Sequence, residues 1–265
     1  MTAALPRYAR PRPDRLLGLT PAVWTGVLAV LALAALEVLA RTVVDPIDLV
    51  PPTTMVVRTA ELLGTAGFVT GQVLPSLGLI AAAFALAGVA GVGLAYTMWR
   101  SPWWRLALQP YLNVYYAIPI FAVYPILVVL LGTGGVPIVL LSAAFGAVVV
   151  VTNSLLGFDS VPEPVRKLAR SRNLGTRRYL TAILLPAALP DIASGLRLGL
   201  VYATIGVLAT EFILSTRGLG HEIADAYHTF RTADMYAGIL LICLLALALN
   251  IAVGAVLDRL DWRRR

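Results

Sequence analysis

The sequence predicts an all-α membrane protein with about six transmembrane helices. Three observations carry that expectation. Hydrophobic residues make up 59% of the 265-residue chain and charged residues only 13%, with a mean hydropathy of +0.83, whereas soluble domains average roughly 25% charged residues. Several apolar runs reach the roughly 20 residues that a helix needs to cross the hydrocarbon core. No series of short alternating segments suggests a β-barrel.

The spans are read at about 22–44, 74–99, 106–131, 136–158, 183–215 and 235–257. In the first, Glu37 and Arg41 are four residues apart on one helical face and form a local ion pair. Pro51-Pro52-Thr53-Thr54 then stiffens the chain and offers a helix cap to MVVRTAELLG, an amphipathic stretch expected to lie along the membrane surface. Pro119 and Pro125 interrupt the third span, and Pro186 and Pro190 open the fifth. Each proline removes a backbone donor and frees carbonyls, so these segments are expected to kink or break, as a gate would require. A short helix is expected after the glycines of RGLGHEIADAYHTFRTAD, and Cys243 in the last span reads as a packing residue. The domain organisation is a basic tail over 1–20, one transmembrane domain over 21–258 containing a basic loop at about 161–180, and a basic tail over 259–265.

Basic residues set the orientation. Arg7, Arg10, Arg12 and Arg15, Arg100 and Arg105, the Arg166 to Arg178 cluster, and Arg259, Arg263, Arg264 and Arg265 fall on one side, against Arg41, Arg58, Arg217 and Arg231 on the other. Both termini and the 161–180 loop are therefore expected to be cytoplasmic, and the net charge of +7 is a topology signal rather than the footprint of a nucleic-acid binder. The first apolar run is too long for a secretory signal and lacks a small-residue cleavage site, so it reads as an uncleaved span. One cysteine can form neither an internal disulfide nor a multi-cysteine metal site. His221 and His228, with Glu222 and Asp225 nearby, lack the usual ligand spacing, and no metal site is expected.

Glu211 is the costly residue within the spans, at roughly 2.5–3.5 kcal/mol on insertion scales; it must face protein or water or sit near the outer boundary. Arg197 cannot pair with it inside one straight helix, because the intervening residues put the two about 21 Å apart at 1.5 Å per residue. Tyr115, Tyr116, Asn153 and Glu211 are the candidates to line a pathway, with helix-packing hydrogen bonds as the alternative role of Tyr and Asn.

Three stretches together resemble the permease subunits of binding-protein-dependent ABC importers, in the nitrate, sulfonate and taurine branch. They are LEVLARTVVDPIDLVPPTTMVV, YAIPIFAVYPILVVLLGTGG, and PEPVRKLARSRNLGTRRYLTAILLPAALPDIASGLRLGL with the following ATEF and GLGHEI. The resemblance implies a type I importer permease fold in which the third stretch holds a cytoplasmic coupling helix, the EAA loop, between the fourth and fifth spans. Pro164 suits the first helical turn, while Val165, Leu168 and Ala169 present a small apolar face flanked by arginines. Aligned with the family, Lys167 stands at the usual glutamate and Asn173 at the usual glycine. Asn tolerates the left-handed conformation of that turn, and Gly175 offers a second place for it.

The resemblance further implies a transport subunit rather than an enzyme, in a bacterial cytoplasmic (inner) membrane. It would form half of a pathway for a small solute, a sulfonate-, taurine- or nitrate-like anion or a small polar heterocycle. Implied partners are two ATPase subunits, a second permease that is the same or a homologous chain, an extracytoplasmic solute-binding protein, and membrane lipid. ATP and Mg would be bound by the ATPase, since no GxxxxGK[ST] sequence occurs here. The alternative is an ion-gradient-driven secondary transporter, for which the spans offer only Glu211 as a carrier and no repeat of the two halves.

Overall fold

The computed structural model describes residues 21–45, 48–115 and 118–260, and they fold into helices joined by short turns. In chain order these are α1 (Pro21–Thr42), α2 (Pro52–Gly64), the single turn α3 (Ala66–Phe68), α4 (Leu74–Arg100), α5 (Pro102–Tyr115), α6 (Tyr124–Leu131), α7 (Gly135–Asp159), α8 (Glu163–Ser171), α9 (Thr176–Tyr179), α10 (Leu185–Leu214), α11 (Leu219–His228) and α12 (Thr232–Leu260). The basic tail at 1–20 and residues 261–265 of the tail read at 259–265 lie outside the described residues, and α12 takes in the first two residues of that second tail.

Among the described residues, five segments are long and apolar enough to cross a membrane, built around α1, α4, α7, α10 and α12. The third expected span is not one helix. It divides into α5, a 3-10 turn at Ile120–Val123 and the short apolar α6. The reason is Pro119, whose backbone (φ −72°, ψ 83°) is not helical and which lacks an N–H to continue a helical ladder. Pro125 falls in the first turn of α6, where a missing N–H costs nothing.

The centre of the molecule is α7, packed between α4 and α10. Lipid supplies no hydrophobic drive for helix association, so close packing of small residues must do it. On α4, Ala83, Ala87, Gly91 and Ala95 repeat every four residues and are all buried. A Cβ on Gly146 of α7 would sit 2.9 Å from the Gly199 carbonyl oxygen of α10, and one on Gly206 would sit 2.8 Å from Ser142 Oγ. The backbones of α7 and α10 therefore touch, and only glycine fits at either position. Larger side chains fill the two ends of this seam. Tyr124, Ile80 and Ile138 lie in one cluster, and Met98, Phe158 and Leu184 in the other.

α12 packs on α2, α10 and α11, whereas α1 leans on α2 and leaves most of its side chains exposed. Cys243 also lies on an outward face of α12, so its expected role in packing within the chain does not hold. The Thr53-Thr54 cap is likewise replaced. Pro51 and Pro52 start α2 earlier, and no side chain of α2 caps its N-terminus. Instead the Thr53 N–H and hydroxyl donate to Glu37 of α1, at 3.0 and 2.7 Å, and Arg41 completes the cluster 2.5 Å from the same carboxylate. The ion pair read from spacing is thus also an anionic cap on the next helix.

Candidate functional site: a basic loop helix and a carboxylate latch

The segment after α7 is fastened to the bundle by its own backbone. Arg166 donates from Nε to the Val161 carbonyl (2.9 Å) and from Nη2 to the Asp159 carbonyl (2.8 Å), folding the chain back into α8. Pro164 occupies the first turn as expected, and Glu163 there complements the helix dipole. Lys167, at the position of the family's glutamate, reaches back to Glu163 at 3.1 Å with both side chains 74% exposed. A pair this exposed adds little stability.

α8 ends in a Schellman turn. The Asn173 N–H donates to the Arg170 carbonyl (3.0 Å) and the Leu174 N–H to the Ala169 carbonyl (3.1 Å). Asn173 has φ 48°, whereas Gly175 has φ −59°. The left-handed residue is therefore Asn173, and the turn does not shift to Gly175. The apolar face splits. Ala169 is buried against the chain's own body, while Val165 and Leu168 are 37% and 59% exposed and face outward. Ala169 seats the helix and leaves its neighbours as the outward contact.

After α9 the chain enters α10 through a π-helical turn at Leu180–Leu184. Pro186 lies in the first turn of α10, and Pro190 sits inside that helix, which runs on without a break. The irregularity expected from these prolines is thus placed one turn upstream. Arg197, further along α10, meets α12, with Nη2 2.5 Å from Asp258 Oδ1 and 3.0 Å from the Gly254 carbonyl.

At the other end of α10, Glu211 is fully buried. Ser76 Oγ lies 2.8 Å from each carboxylate oxygen, and the Gly220 N–H donates to it at 3.0 Å. Ser76 Oγ also accepts the Leu219 N–H (2.8 Å), and Gln72 Oε1 accepts the Gly218 N–H (2.7 Å). The first donors of α11 are thereby met by side chains of α10, of α4 and of the π-helical turn at Val69–Val73 that precedes α4, with the Glu211 carboxyl group at the helix N-terminus. Gly218 has φ 108° and a Cβ there would overlap the Glu211 carboxylate, so glycine is required twice over. Glu222 and Asp225, weighed as metal ligands, both pair with Arg231.

The other pathway candidates lie apart from this latch. Tyr115 is half-buried at the end of α5 against the Tyr124 cluster. Asn153 is half-buried on α7, donates to the Val149 carbonyl (2.9 Å), and packs against Gly195. Tyr116 lies outside the described residues. From the sequence, Ser76 and Gln72 were given no role in a site, and Arg166 had only a place in the basic cluster. The signals available were a serine in an otherwise apolar run and the Gly-Leu-Gly at 218–220, which only matter once α4 and α10 are adjacent.

The described residues thus form a helical membrane bundle that carries a fastened basic loop helix. Residues 87–265 match the family of binding-protein-dependent transport system inner membrane components, and the chain belongs to that family. It is 30% identical over 239 residues to the taurine transport system permease protein TauC of Escherichia coli, covering 89% of this chain and 87% of that one. It is 29% identical over 223 residues to a putative aliphatic sulfonates transport permease protein of Bacillus subtilis, covering 83% and 80%. A nitrate import permease protein of Synechocystis sp. is 28% identical over 179 residues, covering 68% and 65%. The chain is therefore a multi-pass permease subunit of an ABC importer, and the gradient-driven alternative falls away. Membership implies an ATPase and a binding protein as partners.

Proposed function

We propose that this chain forms half of a translocation pathway for a small anion of the sulfonate, taurine or nitrate kind, handed over by an extracytoplasmic binding protein. A second permease, the same chain or a homologue, supplies the other half. Two ATPase subunits, holding ATP and Mg, dock on α8 from the cytoplasm. In this reading both termini are cytoplasmic, residues 21–258 form the membrane domain, and the two short tails stay outside it. Val165 and Leu168 enter the ATPase groove, Lys167 sits at its edge, and Ala169, Asn173 and Gly175 fix the helix that carries them. Pro119 and Pro125 set the hinge between α5 and α6, and Pro186 and Pro190 begin the helix that passes motion on from α8. Tyr115, Tyr116 and Asn153 line the pathway, while Glu211 contributes by holding α11 in place.

The observation that supports this best is α8 itself, a helix anchored by Arg166 and Ala169 that leaves Leu168 outward at 59% exposure. A short rigid peg of this kind transmits a push. Leu168→Glu is expected to abolish uptake while the protein still inserts and α8 still closes at Asn173. The check is uptake of radiolabelled taurine, an alkanesulfonate and nitrate in cells expressing the complete transporter, beside membrane abundance. Normal uptake by the variant would overturn the coupling role.

A further inference from the structure

At the end of the bundle that carries α8, the last turns of α4 and α7, the first of α5, and α8 and α9 enclose a cavity of about 440 Å³. Arg100, Arg105, Arg166 and Arg170 line it against a single carboxylate, Asp159. Four cations less one anion leave an excess of three positive charges in one concavity. Two of the arginines are committed. Arg105 grips Asp159 at 3.2 and 2.8 Å, and Arg166 is held by backbone carbonyls, which satisfy its N–H groups without cancelling its charge. Among the described residues, the side chains of Arg100 and Arg170 make no hydrogen bond or ion pair.

One wall is aromatic. Trp99 and Tyr179 stack with ring centroids 6.3 Å apart and planes 11° apart, and Phe158 supports Trp99 from behind at 6.0 Å. Such a wall keeps water off one side of the cavity and strengthens the field of the guanidinium groups. Two planar forks lining one half-shielded space offer paired N–H donors, and the several oxygens of one phosphate can accept from both forks at once. The volume lies in the range of small-molecule sites, and basic pockets between helices at this level of a membrane protein suit anionic headgroups.

We propose that this cavity binds a phosphate-bearing anion, held by Arg100 and Arg170 against the Trp99–Tyr179 wall. The phosphate comes from an anionic phospholipid headgroup or from a soluble phosphoester. Because α8 forms one side of the cavity, occupancy props that helix against α4 and α7. This regulatory consequence rests on the coupling role of α8, whereas the binding itself does not.

The test reads binding and not transport, so its failure is distinct from a failure of the coupling reading. The full-length chain is reconstituted in nanodiscs of phosphatidylcholine containing phosphatidylglycerol, and bound lipid is counted by native mass spectrometry. A parallel titration uses soluble glycerol phosphate in phosphatidylcholine alone. Arg100→Gln with Arg170→Gln is expected to weaken binding about 25-fold, roughly fivefold for each cation removed. Arg172→Gln with Arg177→Gln, on the same basic segment but outside the cavity, is expected to leave binding unchanged. Retention of phosphatidylglycerol alone assigns the lipid source, and saturable glycerol phosphate binding assigns the soluble one. Equal losses in both double variants, or no binding of either probe to the native chain, would overturn the site.

Discussion

Ser76 Oγ stands 2.8 Å from both carboxylate oxygens of Glu211 and at the same time accepts the Leu219 N–H at 2.8 Å. One hydroxyl thus joins α4, α10 and α11 at a point without solvent. The burden of a carboxylate inside the chain is offset by the helix N-terminus it faces, not by a counter-charge.

Ser76→Ala removes the donor to Glu211 and the acceptor for Leu219 together. The orphaned groups are expected to lower stability by about 1–3 kcal/mol each. Ser76→Thr retains the hydroxyl and should lose less. Thermal unfolding of the purified chain in mild detergent checks this, and an unchanged transition for the alanine variant would show that the network carries no stability.

The contact between α7 and α10 should tolerate no added methyl at its centre. Gly146→Ala places a Cβ against the Gly199 carbonyl and is expected to cost about 1–3 kcal/mol through overpacking. Gly93→Ala, with no atom within 4 Å of the new Cβ, is expected to be neutral or slightly stabilising. Comparing the two unfolding midpoints isolates packing from the general effect of replacing glycine in a helix. Equal midpoints would mean that the seam can spread.

Asn173 carries the left-handed residue that closes α8. Asn173→Gly is expected to keep uptake, since glycine adopts φ near 48° freely. Asn173→Val should strain the turn by roughly 1–2 kcal/mol or more and misplace Leu168. Uptake and ATPase activity measured together on the reconstituted transporter decide the point. A valine variant as active as the glycine variant would detach the turn from coupling.

Asp234 is shared by two arginines, Arg58 of α2 at 2.5 Å and Arg231 at 2.9 Å. Hydrogen bonds that Arg58 donates to Asp234 and Glu61 hold its guanidinium above the usual arginine range, so it stays charged at any working pH. Arg58→Gln leaves Asp234 with Arg231 and is expected to have a small effect, under about 1 kcal/mol. Asp234→Asn removes the centre of the cluster, leaves two guanidinium groups facing each other, and should free α2 from α12. Hydrogen exchange over residues 52–64 reads that release, and the prediction fails if the two variants exchange alike.

What the chain reveals by itself is set by local chemistry. Hydropathy fixes which segments enter the membrane, because an unpaired backbone in lipid must be helical. Pro119 fixes a break in the third span, Pro164 a helix start, and Glu37 with Arg41 an ion pair, since each acts over one or two turns. The family motifs around Ala169 and Pro186 fixed the kind of protein. Even here local chemistry misled where two rules competed: Pro52 began α2 before the threonines could cap it.

Only the tertiary structure decided which polar residues meet. Glu211 finds Ser76 across 135 positions of sequence and Arg105 finds Asp159 across 54, and nothing in the local pattern distinguishes these partners from any others. Outward or inward facing was equally undecided along the spans, Cys243 among them, because in lipid both faces of a helix are apolar and hydrophobicity loses its power to orient it. For α7 and α10, backbone contact at Gly146 and Gly199 supplied that orientation. It follows from shape, which short-range sequence patterns do not express.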